Sequence, residues 1–210
     1  MTETIQTSGG DIEFDEALHK YYHNGIEVPG VTGILDDEGF IDYSKIPKKK
    51  RDFYMKRGSN LHSVTELHDR NLLKESSITE EQGVRLESWK RFKKDKGFEI
   101  YTIESVRFNR SMWYCGTEDR AGRFIKGDIA LRDRPVCLDL KGIQAENWTR
   151  IQTAGYVLTR TNWREWIRCA ITFSKDGEYQ FHLFQEDHDY RIFKNAVQNH
   201  AWKKTNGGKL

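Results

Sequence analysis

The chain has 210 residues, with 34 basic and 32 acidic side chains for a net charge of +2, three cysteines and three prolines. That length suits one domain with a proper core. No apolar run approaches the roughly 18 residues of a membrane helix, and no signal peptide opens the sequence. Three cysteines without C-x-x-C spacing argue against disulfides and a structural zinc. Cys115, Cys137 and Cys169 fall in strand-like segments and read as small core residues in a reducing cytoplasm. The small net charge conceals a division. Residues 1–44 hold ten acids and one base, Lys20, for −9, while the remainder holds 33 bases and 22 acids, for +11. The basic body suits a polyanionic partner or is an ordinary solvated surface; the acidic start either covers a basic groove or keeps the protein soluble.

In chain order, residues 1–10 are polar and expected to be disordered. Ile12 to Val28 contains Asn24-Gly25, a hairpin-turn signal between two short strands. Val28-Pro29-Gly30-Val31-Thr32-Gly33-Ile34-Leu35 follows, then a loop. Lys48-Lys49-Lys50-Arg51 opens the next helix, as a phosphate contact or an exposed helix start. The first substantial helix is predicted over Lys56 to Leu73, with Leu61, Val64 and Leu67 facing inward and His62 and Glu66 stacked beside them. Ser77-Ile78-Thr79-Glu80-Glu81 is a capping signature for a helix ending at Lys96. Val84, Leu86, Trp89 and Phe92 pack it, and Lys90, Arg91, Lys93, Lys94 and Lys96 load its end with positive charge. Phe98 to Phe108 alternates as a strand, with Tyr101, Ile103 and Val106 as core candidates. Met112 to Ile129 and Pro135 to Lys141 form a hairpin, with turns at Lys126-Gly127-Asp128 and Arg132-Asp133-Arg134-Pro135. A helix over Glu146 to Thr161, strands over Trp166 to Phe173 and Gln180 to Phe184, a helix over Asp187 to Trp202 and a tail from Thr205 complete an α/β chain. It divides into an N-terminal hairpin and acidic extension (1–55), a core (56–185) and a C-terminal helix and tail (186–210).

The chemistry centres on Asp139-Leu140-Lys141. Val136, Cys137, Leu138 and Leu140 mark a buried strand, and Asp139 and Lys141, two apart, share one face of it. Asp119 lies on the preceding strand segment. Two acids and a lysine on neighbouring strands make a plausible divalent-metal site. Gln152 and Tyr156, four apart, share one face of the following helix.

The ordered set Arg57-Gly58…His62, Gly116-Thr117-Glu118-Asp119-Arg120, Asp139-Leu140-Lys141 and Gln152…Tyr156 resembles the RecB-type branch of the PD-(D/E)xK nuclease superfamily. That branch carries R-G-x-x-x-H, G-T-x-D-R, D-x-K and Q-x-x-x-Y in this order. Val28 to Leu35 is similar to its V-P-S-V-T-x-I-L segment, with Gly30 in place of serine. The resemblance implies a central mixed β-sheet flanked by helices in a restriction-endonuclease-like αβββαβ core. It implies Mg²⁺ or Mn²⁺ held by His62, Asp119, Asp139 and the Leu140 carbonyl, with Gly58 letting the helix approach the site. Glu66 is a weaker ligand candidate, and Glu104 is a supporting acid or a plain surface residue. Lys141 would orient the attacking water or stabilise the phosphorane, while Gln152 and Tyr156 brace the site. Glu118, where an apolar residue is usual, should face away from the metal. The ungrouped cysteines give no reason to expect an iron–sulfur cluster. The implied activity is a metal-dependent deoxyribonuclease acting on single-stranded or duplex DNA ends. An exonuclease of recombination, repair or phage DNA metabolism is the first reading. A structure- or sequence-specific endonuclease and a non-cleaving DNA-end-binding module are the alternatives.

Overall fold

The computed structural model describes residues 2–42, 44 and 47–207, and at 50–57 and 59 the backbone alone. Strands β1 (Thr2–Thr7), β2 (Gly10–Asp15), β3 (Lys20–His23) and β4 (Ile26–Val28) form an antiparallel meander in chain order. The polar start is therefore a strand and not disordered. Its ladder with β2 runs from Thr2↔Asp15 to Thr7↔Gly10, and Thr2, Thr4, Ile5 and Thr7 are β-branched residues that suit it. Asn24 and Gly25 turn the β3–β4 hairpin with φ of 50° and 75°, the left-handed pair that a tight hairpin requires.

Next come α1 (Val31–Asp37), α2 (Lys48–Asp69), α3 (Glu80–Lys96), β5 (Phe98–Asn109), β6 (Tyr114–Phe124), β7 (Pro135–Lys141), α4 (Asn147–Val157), β8 (Ile167–Phe173), β9 (Tyr179–Phe184) and α5 (His188–Asn206). The second sheet has the order β5-β6-β7-β8-β9. Neighbours run antiparallel except β7 and β8, which are parallel, with α4 as the crossover that a parallel pair needs. The chain is thus mixed α/β.

Several boundaries differ from the sequence reading for local reasons. Helix α2 starts at Lys48 and not Lys56; the side chains of Lys50, Arg51 and Arg57 lie outside the described residues. Leu61 and Val64 are buried, but Leu67 is 40% exposed. Steps of three fall short of the 3.6-residue turn, so the stripe rotates out of the core. Within the capping signature Ser77 to Glu81, Thr79 is the residue that caps α3: its side chain accepts from Gln82 N, and Gln82 answers on Thr79 N. Tyr101 is 55% exposed because the β5–β6 register shifts between Ile100 and Thr102, a bulge that ends simple alternation. Helix α4 stops at Val157, and α5 runs on to Asn206, absorbing the start of the expected tail.

The second sheet separates two apolar clusters. Tyr114, Cys137, Ala154 and Phe193 lie toward α1, α4 and α5; Leu86, Trp89, Phe92, Leu138 and Leu140 lie toward α2 and α3. A third cluster, with Ile12, Tyr21 and Val28 against Phe108 and Cys115, seats the N-terminal meander. The three cysteines are buried and unpaired with one another. Among the described residues no helix is long and apolar enough to cross a membrane.

Strand β6 changes face midway. Tyr114 donates to Gly155 O of α4, Gly116 lies against Tyr156, and Glu118 pairs with Arg160 just beyond α4. Two residues on, Arg120 reaches Asp69 and Thr65 of α2, and Phe124 packs on Phe92 of α3. A regular strand would keep all these even-numbered side chains on one face. The changeover falls at Asp119.

Candidate functional site

The β6–β7 ladder runs only as far as Arg120↔Leu138. Beyond it the Asp119 carboxylate substitutes for a backbone partner: Leu140 N donates to Asp119 Oδ2 at 2.6 Å. On the other flank the β5–β6 ladder passes from Ser105↔Glu118 to Ile103↔Arg120. Glu104, skipped between them, has φ of 46°, a left-handed conformation that carries strain for a non-glycine residue. His62 enters this opening from α2. Its Nε2 lies 3.0 Å from Leu140 O; the carbonyl only accepts, so Nε2 carries the hydrogen. Its Nδ1 lies 3.5 Å from Glu104 Oε1 and 3.6 Å from Asp119 Oδ1.

The D-x-K side chains meet α4. Asp139 and Lys141 share a face, with Oδ2 and Nζ 2.8 Å apart. Lys141 Nζ also donates to Gln152 Oε1 at 2.9 Å and lies 4.9 Å from the Trp148 ring centre. Gln152 Nε2 donates both its hydrogens, to Tyr156 Oη at 2.9 Å and to Thr32 Oγ1 at 3.0 Å. The carboxamide is thereby locked with its oxygen toward the lysine. Thr32 comes from α1, the Val31-Thr32 part of the Val28–Leu35 segment.

Burial dominates the electrostatics. It pushes the Asp139 carboxyl up to about 6, with the Asp119 charge adding and Lys141 opposing. Burial likewise raises Asp119, helped by Glu104 and opposed by His62, Lys141 and the Leu140 N–H. For His62 burial lowers the pKa, but Asp119, Glu104 and Asp139 outweigh it and raise the imidazole to about 9. Tyr156 is held well above the ordinary phenol value by burial and then by the Asp139 and Asp119 charges. For both aspartates burial outweighs the neighbouring positive charges.

Behind the opening stands Arg120, completely buried. Its Nε donates to Asp69 Oδ2 at 2.9 Å, one terminal nitrogen to Glu104 Oε1 at 3.0 Å and Asp119 O at 2.6 Å, and the other to Thr65 Oγ1 at 3.1 Å. Asp69 is fixed in turn by Trp89 Nε1 at 3.0 Å and Lys93 Nζ at 2.6 Å.

The structure thus brings His62, Asp119, Asp139, Leu140, Lys141, Gln152 and Tyr156 together. It adds Glu104, which the sequence left open. Thr32, Trp148, Asp69 and the role of Arg120 were missed. Arg120 and Thr32 sit inside segments that the sequence singled out; Asp69 carries no sequence signal. Glu66 is engaged by Arg70 at 2.8 Å and stands outside the group. Glu118 turns to Arg160 and Arg107, on the α4 side. A Cβ at Gly58 would meet nothing within 4 Å, so the close helix approach implied for that glycine is not what the described residues show.

His62, Glu104 and Asp119 offer ligand atoms that all lie within 4.8 Å of one another. Asp139 stands outside that compact group, and its buried Oδ2 lacks an aligned hydrogen-bond donor despite its closeness to Lys141. Carboxylate oxygens with one imidazole, as in His62, Glu104 and Asp119, fit a hard divalent cation such as Mg²⁺ or Mn²⁺. No protein-family model matches the chain, and no curated protein matches it.

Proposed function

We propose that the chain is a metal-dependent deoxyribonuclease of the PD-(D/E)xK, RecB-like kind, acting as an exonuclease on DNA ends. The observation that carries this reading is the meeting of Asp119, Asp139 and Lys141 beside His62 where β6 and β7 part. The order α3-β5-β6-β7-α4-β8 around a mixed sheet supports a restriction-endonuclease-like core, and the basic charge of residues 45–210 supports a DNA partner.

Asp119, Asp139, Glu104 and His62 would hold Mg²⁺ or Mn²⁺. When bound, the ion offsets phosphate charge and lowers the pKa of its water. Lys141, held by Asp139 and Gln152, presents an ammonium that donates to the oxygen gaining charge at phosphorus. Gln152 keeps that ammonium aimed, because Thr32 and Tyr156 occupy both amide hydrogens. Arg120 fixes Glu104 and the Asp119 main chain from behind.

The test is cleavage of linear, circular and single-stranded DNA with Mg²⁺, Mn²⁺ or EDTA. Exonuclease action requires loss of linear DNA with circles spared; cleaved circles would instead favour the endonuclease reading. Asp139→Asn, which keeps shape and removes charge, should abolish cleavage with the circular-dichroism spectrum unchanged. Wild-type rates in that variant would remove Asp139 from the site.

A further inference from the structure

We propose that a second cleft, at the opposite end of β7 and β8 from Asp139 and Lys141, binds a nucleoside phosphate. It encloses about 320 Å³ and is lined by the first residues of β8, the end of β9, the β6–β7 loop and the start of α5. That volume is at the small end of the range for ligand pockets, roughly 300–1,000 Å³.

Its charges are arranged unequally. Arg168, on the floor, is buried and already matched: it donates to Asp189 at 2.9 Å and to the carbonyls of Arg150 and Glu186. Arg134 and Arg164, on the rim, are exposed. Among the described residues no ion-pair partner is found for either. Arg134 reaches only the carbonyls of Glu165, at 3.1 Å, and Ala130, at 3.4 Å. Arg164 lies over the Trp163 ring at 4.1 Å. Two guanidinium groups without a carboxylate are ready-made phosphate donors.

The remaining walls argue for more than a bare anion. Trp166, half-buried with Arg160 over one face, adds aromatic surface, whereas the Tyr190 ring is buried between Trp163 and Arg168. Gln185 and Asp187 add a carboxamide and a carboxylate. Asp187 opposes inorganic phosphate but can accept from the amino edge of a base, while the open part of the Trp166 ring takes the base itself. A phosphate at the rim and a heterocycle inside use these guanidinium, carboxylate and indole groups. A free mononucleotide and an unpaired nucleotide of a strand share that chemistry.

The test is calorimetry on the full chain in EDTA, where cleavage plays no part and failure of the nuclease reading leaves the result standing. The probes are deoxyadenosine monophosphate, inorganic phosphate and a short single-stranded oligonucleotide. The Arg134→Gln/Arg164→Gln double variant, and each single variant, should keep the wild-type melting temperature because both side chains are exposed. The double variant should weaken the mononucleotide at least about tenfold, the loss of one charged hydrogen bond or more. Arg132→Gln removes the same charge from the same loop but outside the cleft, and should change affinity less than about twofold on that scale. An oligonucleotide binding more tightly than the mononucleotide assigns the cleft to a strand; the reverse assigns it to a free nucleotide. No saturable binding of either nucleotide probe overturns the proposal. So does equal weakening by Arg132→Gln, or inorganic phosphate binding as tightly as the mononucleotide.

Discussion

Replacing Arg120 by methionine keeps the length of the side chain and removes the guanidinium that joins α2, β5 and β6. The loss is unequal among its partners. Asp69 retains Lys93 at 2.6 Å and the Trp89 N–H at 3.0 Å, whereas Glu104 is left facing His62 at 3.5 Å. Removing one member of a buried pair costs about 3–5 kcal/mol. Because Asp69 keeps two donors the lower end applies, about 3 kcal/mol. For a chain of this size each kcal/mol moves Tm by roughly 2–4 °C, so the midpoint should fall by about 6–12 °C. Urea unfolding measures the free energy directly and calorimetry the midpoint. Arg120→Lys keeps the charge but not the fork, and should recover only part of the loss. A double-mutant cycle with Asp69→Asn should give a coupling above about 1 kcal/mol. A methionine variant within about 1 kcal/mol of wild type, or a coupling near zero, would refute the view that Arg120 ties these elements together.

A Cβ at Gly116 would lie 2.7 Å from Tyr156 Cε1 and 2.9 Å from Val31 Cγ2, so Gly116→Ala should cost about 1–3 kcal/mol in urea unfolding, as overpacking does. Burial lowers the His200 pKa; Asp37, 3.2 Å away but 60% exposed, pulls the other way too weakly to prevail. The unfolded chain then binds the proton more readily, so this contribution is complete above about pH 6.5 and is lost as pH falls through the lower folded value. Unfolding curves across that window should show a loss on acidification that His200→Gln reduces. If the cluster around Asp119 takes a cation, Mn²⁺ at a hundredfold above its Kd should add about 2.7 kcal/mol to stability, and Asp139→Asn should shrink that gain in the same melting experiment.

Much of the architecture was legible because its signals are local. Asn24-Gly25 fixes a hairpin, and the apolar run interrupted by Asp139 and Lys141 fixes a buried strand with both charges on one face. Thr79, inside the Ser77 to Glu81 signature, caps α3 with Gln82 in return. What escaped depends on contacts distant in sequence. Thr2, Thr4, Ile5 and Thr7 are β-branched and suit a strand, but the segment buries little apolar surface, so its pairing with β2 is what orders it. The exposure of Tyr101 follows from a bulge against β6, and the left-handed turn of Glu104 from a partner strand that changes face. Asp69 is ordinary in sequence, and acquires a role only when α3 brings Trp89 and Lys93 to it and β6 brings Arg120.

That change of face in β6 bears on how the molecule acquires its shape. The strand gives its first half to the core beside α4 and its second half to the core beside α3. A chain in which one core alone had condensed would leave half of β6 exposed and Asp119 without a fixed direction. The carboxylate cluster therefore takes its geometry from both cores together, and neither side of the sheet suffices to aim it. A substitution that loosens either core should therefore disturb the direction of Asp119, even when it lies far from the cluster itself.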